Sequence, residues 1–205
     1  MNSYKREHGF YRDVADTVPM RVPTAFINEY DEDSGRGILL IEKIEGQPGD
    51  ILHPPAIADF DTLVGQLGTM HGQYWQSPSY GDLDWAIDWS LPSLRMGIPI
   101  IQENWPALRA ARPDMAPAEI LDFFERTWIY DTETWLDRVA ERPWTMIHGD
   151  YEFDNIFFSG SGPVVFDWQT LMRSFPGGDL AWFLGVGSSD ESIAEEDALI
   201  DTYRA

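Results

Sequence analysis

The chain has 205 residues, the length of one large domain or two small lobes, and its 43% hydrophobic and 24% charged residues exclude disorder over most of that length. It contains no cysteine, which excludes disulfides, thiolate metal sites and thiol nucleophiles. Fourteen Lys+Arg against 35 Asp+Glu, a formal net charge of −21, argue against nucleic-acid and anionic-membrane partners and favour a cationic small molecule. No apolar run reaches the ~20 residues of a membrane span and no secretory signal is present, so the expected location is cytoplasmic.

Residues 4–16 read as an amphipathic helix with Phe10, Tyr11 and Val14 on one face, ended by Pro19 and Pro23. Thr24–Tyr30 and Gly37–Ile44 read as strands joined by the turn-rich stretch Asp31-Glu32-Asp33-Ser34-Gly35. Gly46-Gln47-Pro48-Gly49-Asp50 then breaks the chain and is the expected boundary between a part holding the first strands, 1–46, and a helical part, 47–205. From Pro55 to Trp75 the apolar residues, with His71 among them, follow helical spacing; His71 is read as a core histidine. Residues 77–113 are rich in aromatics and proline and predict short helices, and Pro117–Arg142 predicts one long amphipathic helix. Trp85, Trp89 and Trp105 raise the competing possibility of an apolar partner.

The specific chemistry lies in residues 144–184. Thr145–Ile147 reads as a strand running into His148-Gly149-Asp150, and the runs Ile156–Phe158 and Val164–Phe166 flank a glycine-rich turn, so they predict a β-hairpin. Pairing Phe158 with Val164 sets Asn155 opposite Asp167, with Cβ atoms roughly 4.5–5.5 Å apart. A carboxamide and a carboxylate held close, without thiolate, suit Mg²⁺, which usually completes its shell with substrate phosphates. Asp150, on the loop entering the hairpin, is placed to face what such a metal holds and to accept a hydroxyl proton, an arrangement suited to phosphoryl transfer.

His148-Gly149-Asp150-Tyr151-Glu152-Phe153-Asp154-Asn155, then Phe166-Asp167-Trp168-Gln169, then Asp179-Leu180-Ala181, resembles the catalytic region of aminoglycoside phosphotransferase-like kinases, and within them the ecdysteroid-kinase-like and choline-kinase-like branches. The match H-G-D-x-x-x-x-N arises by chance in about one chain of this length in a thousand. Glu7-x-x-Phe10-Tyr11 is similar to the family's helix bearing a lysine-pairing glutamate, Gly37–Gly46 to its strand and hinge, and Leu67-x-x-Met70-His71-x-x-Tyr74-Trp75 to its first large-lobe helix. The resemblance implies an α+β, protein-kinase-like fold. It would be truncated to a helix and two strands of the first lobe and a mainly helical second lobe carrying the catalytic hairpin.

It further implies ATP as phosphate donor, Mg²⁺ as metal and a small-molecule hydroxyl as acceptor. Asp150 would be the catalytic base, Asn155 and Asp167 the metal ligands, and the backbone of Glu42, Lys43 and Ile44 the adenine-binding hinge. Glu7, His148 and Asp179 would support the site, His148 bracing the loop and Asp179 anchoring it from below, while Glu152 and Asp154 read as solvated acids. Two lysines occur, Lys5 and Lys43, and neither stands where the family's ATP-gripping lysine would. Gly35-x-Gly37 is a strand turn and does not match the family's glycine-rich loop. The sequence therefore reads as the middle of such a domain, with exposed apolar residues expected in Thr24–Tyr30 and Ala181–Leu184. The alternatives are a catalytically silent, pseudokinase-like binding module, or a metal-dependent hydrolase using His148, Asp150, Asp167 and a second histidine. His8, His53 and His71 show no ligand spacing for the last of these.

Overall fold

The computed structural model describes residues 3–88 and 92–205. Contacts divide them into two units: Asp88–Arg142 forms one, and the residues up to Ile87 join Pro143–Ala205 in the other.

The second of these units opens with helix α1 (Ser3–Asp13). The helix stops short of the expected residue 16, but its apolar face is the expected one: Phe10 is buried, as is Val14 in the turn that follows, and Phe10 stacks on Trp168 with ring centroids 4.0 Å apart. Strands β1 (Ala25–Asp31) and β2 (Arg36–Ile41) pair antiparallel, with Asp31 opposite Arg36. The turn between them is held by Asp31 Oδ1, which accepts from the amides of Asp33 and Ser34, and by Gly35 at φ 67°. Phe26, Ile27, Ile38 and Leu40 are exposed on this hairpin, as expected for its first strand. The second strand stops at Ile41, short of the expected Ile44.

The glycine–proline stretch expected to break the chain is instead strand β3 (Gly46–Pro48). It pairs with β5 (Ile156–Ser159), which pairs in turn with β6 (Gly162–Val165). Gly46 makes this possible, since a Cβ there would come within 2.5 Å of the Phe158 carbonyl oxygen. Helix α2 (Ile57–Gln73) buries Phe60, Leu63, Val64, Leu67, Met70 and His71, the face its spacing predicts. The short helix α3 (Pro78–Gly81) follows.

Strand β4 (Thr145–Ile147) pairs with β7 (Met172–Ser174) and is buried throughout. Helices α7 (Gly177–Val186), α8 (Asp190–Ala194) and α9 (Glu196–Arg204) complete the unit, and α9 lies against α2. Within Ala181–Leu184, Trp182 is exposed as expected whereas Phe183 is sealed in the core.

The Asp88–Arg142 unit departs further from expectation. One 20-residue helix, Pro92–Ala111, which we label α4, spans most of the stretch expected to hold short helices and carries Pro99 and Pro106 inside it. These prolines stand seven residues apart, two turns, so their missing amides fall on nearly the same face. The long helix expected over 117–142 is broken into α5 (Ala118–Phe124), a π-helical turn (Glu125–Ile129) and α6 (Thr132–Ala140). Thr127, Ile129, Thr132 and Thr134 are β-branched and weaken helix continuity there. No helix among the described residues is long and apolar enough to cross a membrane.

Candidate active site

The hairpin of β5 and β6 forms, but one residue out of the expected register: Phe158 lies opposite Pro163, and Phe157 opposite Val164. The cause is the turn. It has two residues, Gly160 and Ser161, closed by Gly162 at φ 106° and by Ser159 Oγ, which donates to the Gly162 carbonyl at 2.7 Å. Asn155 therefore stands across from Phe166, whose amide donates to the Asn155 carbonyl at 3.1 Å, and Asp167 falls one position beyond. Asp167 adopts a left-handed conformation, φ 61° and ψ 59°, uncommon for a residue with a side chain. Such strain persists only where the surroundings over-determine it, and it concentrates at functional sites.

Asp150 and Asn155 meet directly. The Asn155 amide nitrogen donates to the Asp150 carbonyl at 2.9 Å and to its carboxylate Oδ2 at 3.1 Å. Both amide hydrogens are thereby spent on Asp150, so the carboxamide oxygen is the atom of Asn155 left to meet a ligand.

Beneath this pair the loop is clamped by Asp179, 1% exposed. Its Oδ2 accepts from the His148 amide at 2.6 Å and its Oδ1 from the Gly149 amide at 2.8 Å. Gly149 sits at φ 82°, where a Cβ would also meet the Thr170 carbonyl oxygen at 2.6 Å, so this position requires glycine. The His148 side chain is fully buried; its Nε2 hydrogen-bonds the Phe166 carbonyl at 3.0 Å. Burial pushes its pKa down, against the pull of Asp179, the Phe166 carbonyl, Asp150 and Asp167. His148 thus lies within electrostatic reach of all three aspartates.

Glu7 approaches Asp167 because the Phe10–Trp168 stack docks α1 against the 3₁₀ turn Trp168–Thr170. Burial raises the Glu7 carboxyl above its ordinary range, and Asp167 raises it further. The Tyr11 hydroxyl is within electrostatic reach of the same two carboxylates, buried and without a hydrogen-bond partner. The two lysines are engaged elsewhere: Lys5 bonds to Glu32 and Asp84, and Lys43 to Glu45.

At the hinge-like segment, Glu42 is held at both ends. Its carboxylate takes the Arg21 guanidinium at 3.0 Å and its amide donates to the Thr24 carbonyl at 2.8 Å. Arg21 also donates to Ser159 and Ser161, tying the segment to the hairpin turn. The Lys43 side chain points to solvent, 85% exposed. Of the acids read as solvated, Asp154 is exposed yet caps the Ile51 amide, whereas Glu152 is half-buried and its pKa is raised by burial, then by Asp150 and Asp154.

Sequence reasoning did not find Arg21, nor the polar bonds of His71, which is buried as expected but hydrogen-bonds both Tyr203 and Asp179. Of the three tryptophans read as possible signs of an apolar partner, two are buried. Trp85 is buried against Gly9 and donates to Asp13, Trp105 is buried in the Asp88–Arg142 unit, and Trp89 lies outside the described residues.

Asn155 and Asp167 could hold a hard cation through oxygen. They fit an ion that keeps open positions for water and phosphate better than a closed protein cage. Among the described residues no three His, Asp or Glu side chains gather to form such a cage. A carboxylate on a clamped loop, bonded to a carboxamide, is an arrangement that can orient a hydroxyl toward a metal-bound phosphate.

The fold is that of the small-molecule kinases. The structure aligns with a complex described as that of APH(2")-IIia with GDP and kanamycin (TM-score 0.61, 15% identity, 98% of this chain and 70% of that one). It also aligns with the choline kinase LicA from Streptococcus pneumoniae (0.59, 16%, 100% and 64%) and with the macrolide 2'-phosphotransferase MphH from Brachybacterium faecium (0.56, 15%, 98% and 63%). The chain thus spans about two thirds of the length of these structures. No curated protein matches it in sequence. The sequence model of the phosphotransferase enzyme family matches residues 1–205, and the chain belongs to that family.

Proposed function

We propose that this chain carries the catalytic core of an ATP-dependent phosphotransferase acting on a hydroxyl of a small, cationic molecule in the cytoplasm. The observation that carries the reading is the Asp150–Asn155 pair on a loop whose backbone is clamped by buried Asp179. Asp150 orients the acceptor hydroxyl and accepts its proton as the oxygen attacks. Asn155, through its carboxamide oxygen, and Asp167 hold Mg²⁺. When bound with ATP, the ion neutralises charge on the transferring phosphate and fixes its direction. Residues 1–46 would then belong to a first lobe with the hinge and 47–205 to the catalytic lobe.

Adenine would lie at the hinge. The Glu42 carbonyl serves as acceptor for an exocyclic amine and the Ile44 amide as donor, with Lys43 between them at the surface. The Glu42 side chain and amide, already engaged, keep that backbone in place. His148 braces the loop from within and Glu7 stands ready for a cation. Net charge and the Asp150–Glu152–Asp154 group favour a cationic acceptor.

A second reading, a catalytically silent nucleotide-binding module, is favoured by one observation. Glu7 faces Asp167, while Lys5 and Lys43 bond to other acids. One assay separates the two: transfer of labelled γ-phosphate from ATP with Mg²⁺ to kanamycin, choline and a macrolide, with Asp150→Asn alongside. Transfer that drops about 10²–10⁴-fold in Asp150→Asn at unchanged nucleotide affinity is the result expected of the kinase. Nucleotide binding without transfer supports the silent module. Transfer indifferent to Asp150→Asn overturns the assignment of the base.

A further inference from the structure

Helix α9 reaches the Asp150 loop through side chains that lie far apart in sequence. His71, on the buried face of α2, is 2% exposed and has partners on both ring nitrogens. Its Nδ1 lies 2.7 Å from the Tyr203 hydroxyl, and its Nε2 lies 3.4 Å from Asp179 Oδ2, the oxygen that also takes the His148 amide at 2.6 Å. The His71 carbonyl accepts from Thr145 Oγ1 at 2.7 Å, which binds the same turn of α2 to the strand leading into the loop. Tyr203 is held close by its neighbours. A Cβ on Gly68 would come within 2.1 Å of the Tyr203 carbonyl oxygen, and Thr202 donates to Asp61 at 2.6 Å.

The direction of these bonds follows from the donors available. An ionised carboxylate only accepts, so the nitrogen of His71 facing Asp179 must carry a proton. In a neutral imidazole the other nitrogen, Nδ1, then presents a lone pair and needs a donor. The Tyr203 hydroxyl supplies one. Burial, and then Asp179, raise its pKa, so the phenol keeps its proton. The separation of His71 Nε2 from Asp179 is 3.4 Å, and Asp179 is already served by two amides at shorter range.

We propose that Tyr203 is a positioning residue for the Asp150 loop. Asp179 sets the Nε2–H tautomer of His71, and the Tyr203 hydroxyl donates to the Nδ1 that this leaves unprotonated and so holds the ring in place. That Nε2–H steers Asp179, which holds the His148 and Gly149 amides. The link between Tyr203 and the loop stands on the geometry of these bonds; its bearing on phosphoryl transfer rests on the function proposed above. The His71–Asp179 contact is the longest in the chain of bonds, so the effect of breaking the relay is modest, of the order of one neutral hydrogen bond.

The test begins with ¹⁵N-histidine NMR of the intact protein at neutral pH, which reads the His71 tautomer directly. The relay requires an unprotonated Nδ1 and a protonated Nε2; an Nδ1–H tautomer or a cationic ring overturns it. Tyr203→Phe keeps the ring and removes the donor. It should leave the tautomer that Asp179 sets, unpair Nδ1 and loosen the ring, and so speed amide hydrogen exchange at His148 and Gly149 about threefold to tenfold, while Val164 in the hairpin is unchanged. Thr202→Val breaks the neighbouring bond to Asp61 and leaves the relay intact, so exchange at His148 and Gly149 should hold. Equal acceleration in both variants would mean that α9 merely docks, and would overturn the proposal. Where phosphate transfer is measurable, Tyr203→Phe should lower kcat about as much as it speeds exchange, with KM for nucleotide unchanged. Transfer absent in the parent chain, with the exchange pattern as expected, would remove the kinase reading and leave the relay standing.

Discussion

In the unit that joins the residues up to Ile87 to Pro143–Ala205, Asp179, His71 and His148 are each no more than 2% exposed, and each is fixed by directional bonds from a different element. In the Asp88–Arg142 unit the charged pairs Arg95–Asp137 and Arg109–Asp122 join a partly exposed arginine to an exposed carboxylate. There Met96, Ile100, Ile101, Ile120, Phe123 and Tyr130 are exposed, and the buried cluster is Trp105, Leu121 and Ile129. The contrast teaches where precision resides. Buried polar groups tolerate one arrangement because leaving any of them unpaired is costly, whereas exposed pairs contribute little and permit many arrangements. The first unit is built to hold Asp150 in one place, and its positions should respond sharply to substitution. The second should respond weakly.

The largest effect is expected at Asp179. Asp179→Ala leaves the His148 and Gly149 amides without an acceptor, and each orphaned buried donor costs about 1–3 kcal/mol. A loss of about 3–5 kcal/mol in urea unfolding is the expected outcome. A loss below about 1 kcal/mol would show that water replaces the carboxylate and that the loop is not clamped. Next comes Gly9→Ala, where the new Cβ would lie 2.4 Å from the Trp85 ring, itself 2% exposed. Overpacking of this kind should cost about 2 kcal/mol.

His148 gives a smaller, pH-dependent effect. Its pKa is depressed in the folded state, so below its unfolded value near 6.5 the unfolded chain binds the proton more readily. Stability should therefore fall as pH drops through that point toward the folded pKa, with a slope from this group of at most about 1.4 kcal/mol per pH unit. In His148→Gln that component should vanish, and unfolding at pH 7 and pH 5.5 should differ less than in the parent. An unchanged slope would assign the acid sensitivity to other groups.

The same division governs what the sequence disclosed. The H-G-D-x-x-x-x-N spacing is local, and the Asp150–Asn155 contact follows from five residues of chain. The faces of α1 and α2 were legible because apolar periodicity reports burial directly. The hairpin was legible as a hairpin but not in register, because Gly162 takes a positive φ and shortens the turn to two residues. His71 shows the limit most clearly: its burial could be read from α2 alone, but its partners lie 108 and 132 positions away. The Asp88–Arg142 unit hid more, since Pro99 and Pro106 usually end helices and here lie within one.

The smallest expected effect has the opposite sign and uses the same substitution as Gly9→Ala. Gly97 lies inside α4, and a Cβ there would meet nothing within 4 Å. Its φ is not in the left-handed region, so alanine adopts the same backbone without strain. With no neighbour to displace, what remains is the entropy that glycine loses on entering a helix, and alanine should stabilise the protein by about 0.5–1 kcal/mol. Gly9→Ala and Gly97→Ala, measured together by urea unfolding, thus differ in the space around one methyl group. If both destabilise alike, the helix around Pro99 is as closely packed as the wall behind Trp85, and the contrast between the two units fails. If Gly97→Ala stabilises while Gly9→Ala costs about 2 kcal/mol, tight packing belongs to the unit that holds Asp150.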